Sequence, residues 1–563
     1  MAYLLKILSI FWFIGTLKFI LFWVYLWQLK EYHIGRFKDH FNTYKGRKIF
    51  LNWLFAFKLL LFVILLLSYD FFGIAFYVLF LIYGLESVSF INSALKKRLK
   101  RPIFTIKTTL LTLVSCLLFV ALFSLAYNKS STSFWFLFSI LAIDIFTSLI
   151  VSGVVLMFQP LFVFGRNNII EKATEKIRKF DKLVVVGITG SYGKTSTKEF
   201  LTTILSQKFN VLATKEHRNS EMGISQTILE ELNKDHQIFI VEMGAYKKGG
   251  ITLLCDIVRP MIGIVTGVNQ QHMATFGSME NLLSAEGGEE LLDRLPKNGL
   301  IIVNGDNKYC VDLYKKANIH KRVYSEEGRK VESDIWSEEV AVSKNSLDFI
   351  AITKKKPARI GYAEGVAGGE AEHFNVKVLG RQNIQNLLGA ILVARELGMT
   401  FDEISKAANN IKQEQGGMTM KTGIHGINIV DSSYSSNPNG VEADLKYLNV
   451  LKGNPSTGLR IKKIVVMPCL IELGKESKNV HYKIGENMAG IVDLAIITTR
   501  ERFKDIKDGA ANSGMEDSKV IFSEKPQEIL HAITTFCKSG DVVLLEGRVP
   551  SDLIKLLTDD KQV

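Results

Sequence analysis

Cysteine is scarce in this chain. Only Cys116, Cys255, Cys310, Cys469 and Cys537 occur in 563 residues, and no two form a CxxC pair. That spacing excludes a zinc ribbon and argues against a disulfide framework. Each cysteine reads as a small buried hydrophobe. Acidic residues are scarce at one end only. Residues 1–180 hold 21 Lys/Arg against 7 Asp/Glu, a net +14 that leaves residues 181–563 at −1. The overall +13 is therefore not the footprint of a nucleic-acid-binding surface. It belongs to the apolar N-terminal part and reads as membrane topology.

Five apolar segments lie in that part, at Tyr3–Trp27, Ile49–Tyr69, Phe71–Phe90, Ile103–Tyr127 and Phe134–Phe158. Each approaches the ~20 residues that cross a bilayer core. The first is too long for a signal peptide and lacks a small-residue cleavage site, so it is expected to be retained. The connecting segments alternate in charge. Lys30 to Lys48, Lys96 to Arg101 and Arg166 to Lys179 are basic, whereas Ser68–Asp70 has no base and the fourth connection has only Lys129. The positive-inside rule then puts the N-terminus outside and everything after the fifth span in the cytoplasm. An odd number of spans requires the same. Lys18, Lys58 and Asp144 fall inside spans, where a charge marks either a functional site or an ion pair that fixes helix packing. The packing role is the expectation here, and no transporter or channel signature accompanies them.

A buried strand, Leu183 to Ile188, runs into Thr189-Gly190-Ser191-Tyr192-Gly193-Lys194-Thr195-Ser196 and then an amphipathic stretch around Glu199–Leu205. Strand, tight glycine loop and helix start together aim backbone N–H groups and a positive helix end at an anion. Lys194 is placed to neutralise the β- and γ-phosphates of ATP, and the Thr195 hydroxyl to face the accompanying Mg²⁺. Downstream, Ile238–Glu242 is a second buried strand that ends in a carboxylate. Such a group beside a phosphate loop suits Mg²⁺ through hard oxygen ligands. Residues 181–372 alternate strand-like and helical runs, as a parallel α/β sheet does.

Ile188 stands where the usual P-loop has glycine, and the loop in this form resembles that of the Mur ligase family. The resemblance runs from about Lys182 to the C-terminus. It implies an α-helical membrane bundle followed by two α/β domains: a central P-loop ATPase-like domain and a Rossmann-like C-terminal domain. The expected limits are 1–165 for the membrane region, 166–180 for a basic amphipathic linker, 181–372 and 373–563, with the C-terminal motifs themselves placing the start of the last domain near Gly417. It also implies an enzyme that uses ATP and Mg²⁺ to join an amino group to a carboxylate during peptidoglycan synthesis.

Residue by residue, the resemblance makes Thr189 to Ser196 an ATP-binding loop, with Lys194 catalytic. Asn219, Glu221 and Gly223 match the segment lining the reaction centre, with Asn219 and Glu221 facing substrate. Glu242-Met-Gly-Ala245 is similar to the branch that adds a dipeptide, and there this glutamate binds magnesium. His272, before Phe276-Gly277-Ser278, matches the histidine that assists a second magnesium, although Asn269-Gln270-Gln271 replaces a Gly-Pro-Ala type sequence. Glu286 sits where many members carry a carbamylated lysine; it supplies a carboxylate directly, unless the alignment slips across Gly287 to Glu290. Thr195, Glu242, His272 and Glu286 are thus the expected metal set.

In the C-terminal part, Gly380-Arg381-Gln382-Asn383 with Asn386 resembles a helix entry in which Asn383 meets adenine and Asn386 holds the helix. Asp431 is assigned to nucleotide, and Tyr434 and Asn437 to substrate. Three departures fall on the incoming-substrate side: no arginine near Gly417, Pro468-Cys469 in place of Gly-Asp, and Glu546-Gly547-Arg548-Val549 in place of a Lys-Gly-Ser-Arg type motif. The family's N-terminal UDP-sugar-binding domain is missing, with the apolar segments in its place. The implied partners are a muropeptide, a small dipeptide or amino acid, the bacterial inner membrane and membrane-bound cell-wall enzymes. A ligase for another polymer or muropeptide, or a membrane scaffold that keeps ATP binding without ligation, are the alternatives.

Overall fold

The structure is a computed structural model and describes all residues except 1, 31, 33, 42–43, 131, 216–217, 329–331, 356–366, 434–436, 452–459 and 559–563. Two compact units divide the chain, Met1–Asn168 and Ile169–Val563.

The first unit is helical. Four helices are long and apolar enough to cross a membrane: Tyr3–Leu29, Phe72–Leu95, Ile106–Lys129 and Thr147–Ile177. Two of the five expected segments take a different form. The second expected segment forms only Trp53–Leu67, bounded by an Asn52 cap whose side chain accepts from Phe55 N, and by Ser68 in extended conformation. Its 15 residues rise ~22 Å, short of a ~30 Å hydrocarbon core. The fifth is broken at Phe146 (ψ 7°), which separates Ser133–Ile145 from Thr147–Ile177. The parity argument for topology therefore does not follow from helix lengths. The expected linker at 166–180 continues the last of these helices as far as Ile177.

Charges inside this unit are paired. Lys58 Nζ lies 2.8 Å from Glu86 Oε1 and 2.7 Å from Asp144 Oδ2, and all three side chains are buried. One ammonium thus ties together Trp53–Leu67, Phe72–Leu95 and Ser133–Ile145, in the packing role expected of Lys58 and Asp144. Lys18 Nζ donates to Ser89 Oγ at 3.0 Å. Trp12 Nε1 donates to the Ile140 carbonyl and Trp27 Nε1 to Ser152 Oγ, so both buried indoles are satisfied.

The second unit contains two sheets. The strands of the first are β1 (Val184–Thr189), β2 (Val211–Ala213), β3 (Ile238–Glu242), β4 (Ile262–Val265), β5 (Leu300–Asn304), β6 (His320–Ser325), β7 (Ile335–Val342), β8 (Leu347–Lys355) and β9 (Ala367–Val376). Their spatial order is β2-β3-β1-β4-β5-β6-β7-β8-β9, parallel up to β7 and antiparallel at β8 and β9. The apolar runs are nearly continuous because both faces are covered. Val186, Ile188 and Ile240 pack with Phe200, Leu201 and Leu387 on one side. Val185, Phe239 and Val241 pack with Ile228 and Leu254 on the other.

The second sheet comprises β10 (Thr419–Thr422), β11 (Asn428–Ser432), β12 (Lys463–Met467), β13 (Leu494–Ile497), β14 (Val520–Phe522) and β15 (Val542–Glu546), in the order β10-β11-β15-β12-β13-β14. All pairs are parallel except β10 with β11. The boundary expected at 372/373 falls inside β9. The helix Asn383–Glu396 packs on Lys194–Leu205 and on β5 to β7, so it belongs with the first sheet. The second sheet begins after Gly417.

Candidate active site

In a doubly wound sheet a ligand binds where the strand order reverses, beyond the carboxyl ends of the strands. Here β1 lies between β3 and β4, and the loop after β1 occupies that crevice. Gly190 (φ 138°) and Gly193 (φ 77°) take left-handed conformations, and space also requires glycine at both. A Cβ on Gly190 would lie 2.3 Å from Thr266 Oγ1, and one on Gly193 would lie 2.4 Å from Asn386 Oδ1. Thr266 Oγ1 donates to the Tyr192 carbonyl, and Ser191 N donates to the Gly267 carbonyl at 2.7 Å. The loop is thereby clamped against the end of β4. The helix Lys194–Leu205 starts directly from Gly193 with no side-chain cap, which leaves its first N–H groups for an anion.

Two carboxylates flank this loop. On the β3 side, Thr195 Oγ1 donates to Glu242 Oε2 at 3.1 Å and Asn219 Nδ2 donates to Glu242 Oε1 at 3.0 Å. Glu242 N donates to Thr214 Oγ1 at 3.0 Å, which fixes the strand end. On the β4 side, Ser191 Oγ donates to Glu286 Oε2 at 2.7 Å and His272 Nδ1 to Glu286 Oε1 at 2.8 Å. Glu286 is buried. Burial pushes its carboxyl up, but His272, Lys194 and the Ser191 hydroxyl outweigh that and hold it below its ordinary value. The group is an anion at neutral pH.

The expected metal set of Thr195, Glu242, His272 and Glu286 lies as two pairs, Thr195 with Glu242 and His272 with Glu286, one on each side of the phosphate loop. Among the described residues, no group of three or more His, Cys, Asp or Glu could hold a metal ion. The physical reason is that the phosphate loop runs between the two carboxylates. The Thr195–Glu242 pair still fits Mg²⁺, which is held by one or two carboxylates together with substrate phosphates rather than by an all-protein cage. Of the neighbouring acids, Glu286 is the one that meets Ser191 and His272, and Glu289 pairs with Lys316. Glu290 accepts from Gly249 N and Thr252 N at 2.7 and 2.9 Å, and so caps the helix Gly250–Val258.

Other expected residues are placed as follows. Lys194 Nζ donates to the Gly190 carbonyl, within its own loop. Glu221 opens the helix Glu221–Glu230, capped by Ser220. Asn383, expected at adenine, is buried, and its amide donates to the Leu379 and Gly416 carbonyls at 2.8 and 3.1 Å. In this arrangement it ties the helix to the chain entering the second sheet. Asn386 donates to Asn383 Oδ1 at 3.0 Å and so holds the helix, while Thr197 Oγ1 donates back to Asn386 Oδ1. Asp431 accepts from Ser433 N at the end of β11. Asn437 caps the helix Pro438–Val450. Tyr434 lies outside the described residues.

Sequence reading passed over Lys198 and the use of Glu472. Lys198 is fully buried with Nζ 3.5 Å from Glu242 Oε2 and 3.1 Å from Glu199 Oε1. The signal was its spacing: positions 198, 201 and 205 share one helical face, and Leu201 and Leu205 are core residues. Glu472 reaches the histidine loop from the other sheet, its Oε2 4.0 Å from His272 Nε2. No local pattern announces that contact.

Comparison with known proteins agrees with this geometry. Residues 188–394 match the model of the Mur ligase middle domain, and residues 417–549 that of the Mur ligase, glutamate ligase domain. The chain is 24% identical over 375 residues to a UDP-N-acetylmuramoyl-tripeptide--D-alanyl-D-alanine ligase of Bacillus subtilis, covering 67% of this chain and 75% of the relative. It is 28% identical to the Synechocystis protein of the same name, with 64% and 71% covered. Its fold resembles MurF from Acinetobacter baumannii (TM-score 0.58, 21% identity, 69% of this chain and 80% of that one). It also resembles MurF ligase from Thermotoga maritima, solved in complex with ADP (TM-score 0.57, 24% identity, 70% and 84%).

Proposed function

Because the chain belongs to the Mur ligase family through its middle and C-terminal domains, we propose that it is an ATP-dependent ligase joining D-Ala-D-Ala to a muropeptide carboxylate in peptidoglycan precursor synthesis. The observation that carries this reading is the arrangement around Gly190–Thr195, with one hydrogen-bonded carboxylate, Glu242 or Glu286, on each side of the phosphate loop and the second α/β domain docked against the histidine loop.

The chemistry has two steps. A substrate carboxylate oxygen attacks the γ-phosphorus of ATP, and the bond to the β-γ bridging oxygen breaks, giving an acyl phosphate and ADP. The amine then attacks the acyl carbon, and inorganic phosphate leaves as the amide forms. Phosphoryl transfer calls mainly for positioning and charge neutralisation. The free N–H groups at the start of the helix after Gly193 and the Lys194 ammonium supply the positive field. Glu242 and the Thr195 hydroxyl would hold Mg²⁺, which when bound neutralises phosphate charge. Asn219 and Lys198 hold the Glu242 carboxylate in place. Glu286 orients His272 and fixes the Ser191 hydroxyl within the loop. Closure of the two domains excludes water, which protects the acyl phosphate from hydrolysis.

The helices before Asn168 supply the second part of the reading. The charge alternation of the connecting segments supports an external N-terminus and cytoplasmic ligase domains. In that reading Trp53–Leu67 crosses as a short helix, and Ser133–Ile145 with the start of Thr147–Ile177 forms one interrupted crossing. Tethering raises the effective concentration of an acceptor already carried on a lipid, and the basic loops favour anionic headgroups. The preferred acceptor is accordingly membrane-associated. The test compares turnover of a soluble UDP-linked tripeptide with its lipid-linked counterpart, using the full chain in lipid vesicles and a chain beginning near Glu171. Ligation of D-Ala-D-Ala to either acceptor supports the activity. Equal preference for the soluble acceptor in both proteins refutes the membrane-linked acceptor.

A further inference from the structure

The histidine loop is gripped from the second sheet's domain at two points. At its start, Asn269 Nδ2 donates to Asn439 Oδ1 at 2.9 Å and to Asn437 Oδ1 at 3.2 Å. Both acceptors sit at the N-terminus of the helix Pro438–Val450, and Asn437 is its cap. At its end, Ala274 N donates to the Glu472 carbonyl at 3.1 Å, and the Glu472 carboxylate stands 4.0 Å from His272 Nε2. Glu472 has φ 67°, a left-handed conformation seldom taken by residues other than glycine. In that conformation its carbonyl meets Ala274 while its carboxylate reaches His272. Such an outlier persists where surrounding contacts over-determine it.

The path continues inward from His272. Its other ring nitrogen donates to Glu286, and Glu286 also accepts from Ser191 in the phosphate loop. Polar contacts therefore run from Glu472, 4.0 Å from His272, through the hydrogen bonds of His272 to Glu286 and of Ser191 to Glu286, from one domain to the phosphate loop of the other. Asn269 is one of the residues by which this loop departs from the family pattern, and it makes the second grip.

We propose that Glu472 and Asn269 form an interdomain clasp that makes docking of the C-terminal domain a condition for a competent phosphate loop. Glu472 is a positioning residue: it acts on the loop through His272 and Glu286. The inference deepens the ligase reading and rests on it. Its consequence is that carboxylate phosphorylation proceeds only when the domain that brings the amine is in place, so little ATP is lost to water.

The test uses full-length protein in lipid vesicles and four variants: Glu472→Gly, Glu472→Gln, Asn269→Ala and the double variant Glu472→Gly/Asn269→Ala. Glycine accepts the left-handed backbone, so Glu472→Gly removes the carboxylate without adding strain. The first readout is independent of ligation: amide hydrogen exchange in residues 186–195 and 269–276 with a non-hydrolysable ATP analogue bound. We expect exchange in both segments to accelerate on the order of 3-fold in Glu472→Gly, the range for losing one partly exposed ion-pair contact. Glutamine keeps an acceptor and should restore most of the protection.

The second readout is kinetic. The kcat for amide formation should fall on the order of 3-fold in Glu472→Gly while the KM for ATP changes less than about 2-fold, because the clasp acts on turnover and not on nucleotide contacts. The double variant should lose less than the product of the single losses, since both residues serve one clasp. Unchanged exchange in Glu472→Gly, a glutamine variant no better than glycine, or multiplicative losses would each overturn the clasp. If the wild type forms no amide but the exchange pattern holds, the clasp stands and the ligase reading fails.

Discussion

Replacing Glu286 with glutamine separates the charge of this buried carboxylate from its shape. Glu286 is 2% exposed and accepts from Ser191 at 2.7 Å and His272 at 2.8 Å. Glutamine offers one acceptor oxygen of similar placement and turns the other into a donor, so one of the two bonds is lost and the other loses its charge assistance. A hydrogen bond to a charged group contributes about 1.5–3 kcal/mol, and Glu286→Gln should destabilise the folded unit by roughly 2 kcal/mol. Turnover should fall further, on the order of 10²-fold, because His272 and the phosphate loop lose the anion that orients them. The pH dependence carries its own sign. Burial raises the Glu286 carboxyl, and His272, Lys194 and Ser191 together lower it more, so the folded value lies below the free value of 4.5. A depressed carboxylate contributes stability that is fully present above 4.5 and is lost as pH falls through the folded value. Urea denaturation of both proteins between pH 3.5 and 7.5 checks this, with the ligation rate measured with and without bicarbonate. The wild type should lose stability on acidification below pH 4.5 more steeply than the variant, and its rate should not depend on bicarbonate. Parallel acid slopes, or bicarbonate rescue of depleted wild type, would refute the assignment of Glu286 as a built-in carboxylate.

Three further outcomes are expected. Lys194→Ala should leave the protein folded, since alanine suits a helix start and the lysine bonds only within its loop; ATP turnover should drop at least about 10²-fold, and wild-type turnover would remove the ATP-site assignment. Lys58→Met should strand Glu86 and Asp144 in a buried site and destabilise the helical unit by about 3–5 kcal/mol, measured as the denaturant needed to unfold it in detergent; an unchanged midpoint would show that the triad is not a packing element. Asn383→Ala should leave the Leu379 and Gly416 carbonyls without their donor, at about 1–3 kcal/mol, with little change in the KM for ATP; a large rise in that KM with unaltered stability would restore the adenine contact read from sequence.

What the sequence made legible follows the range of the interactions. The phosphate loop is a local pattern of strand, glycines and helix start, and Gly190, Gly193, Lys194 and Thr195 occupy the geometry that pattern implies. Glu242 was legible because a buried strand ending in a carboxylate is also local. The His272–Glu286 contact spans 14 positions, and only the family resemblance brought the two residues together. Glu472 lies 200 positions from His272 and meets it through the docking of two sheets, which no periodicity encodes. The motif around Asn383 specifies a helix entry, but not that its amide bonds the Leu379 and Gly416 carbonyls, the second of them 33 positions away. In the first unit, hydropathy found the apolar stretches but missed their interruptions at Asn52 and Phe146, where the backbone leaves the helical conformation inside an apolar run. Glu86 escaped notice because one acid in a long apolar helix has no meaning until its partner Lys58 is located.

The central claim is that this chain activates a carboxylate as an acyl phosphate before an amine attacks it. The direct test labels the acceptor tripeptide's reacting carboxylate with ¹⁸O, supplies ATP, Mg²⁺ and D-Ala-D-Ala to the full-length protein, and analyses the inorganic phosphate by mass spectrometry. The account predicts one ¹⁸O transferred to phosphate per amide formed, with ADP as the other product. Unlabelled phosphate, or label recovered in AMP, would contradict it.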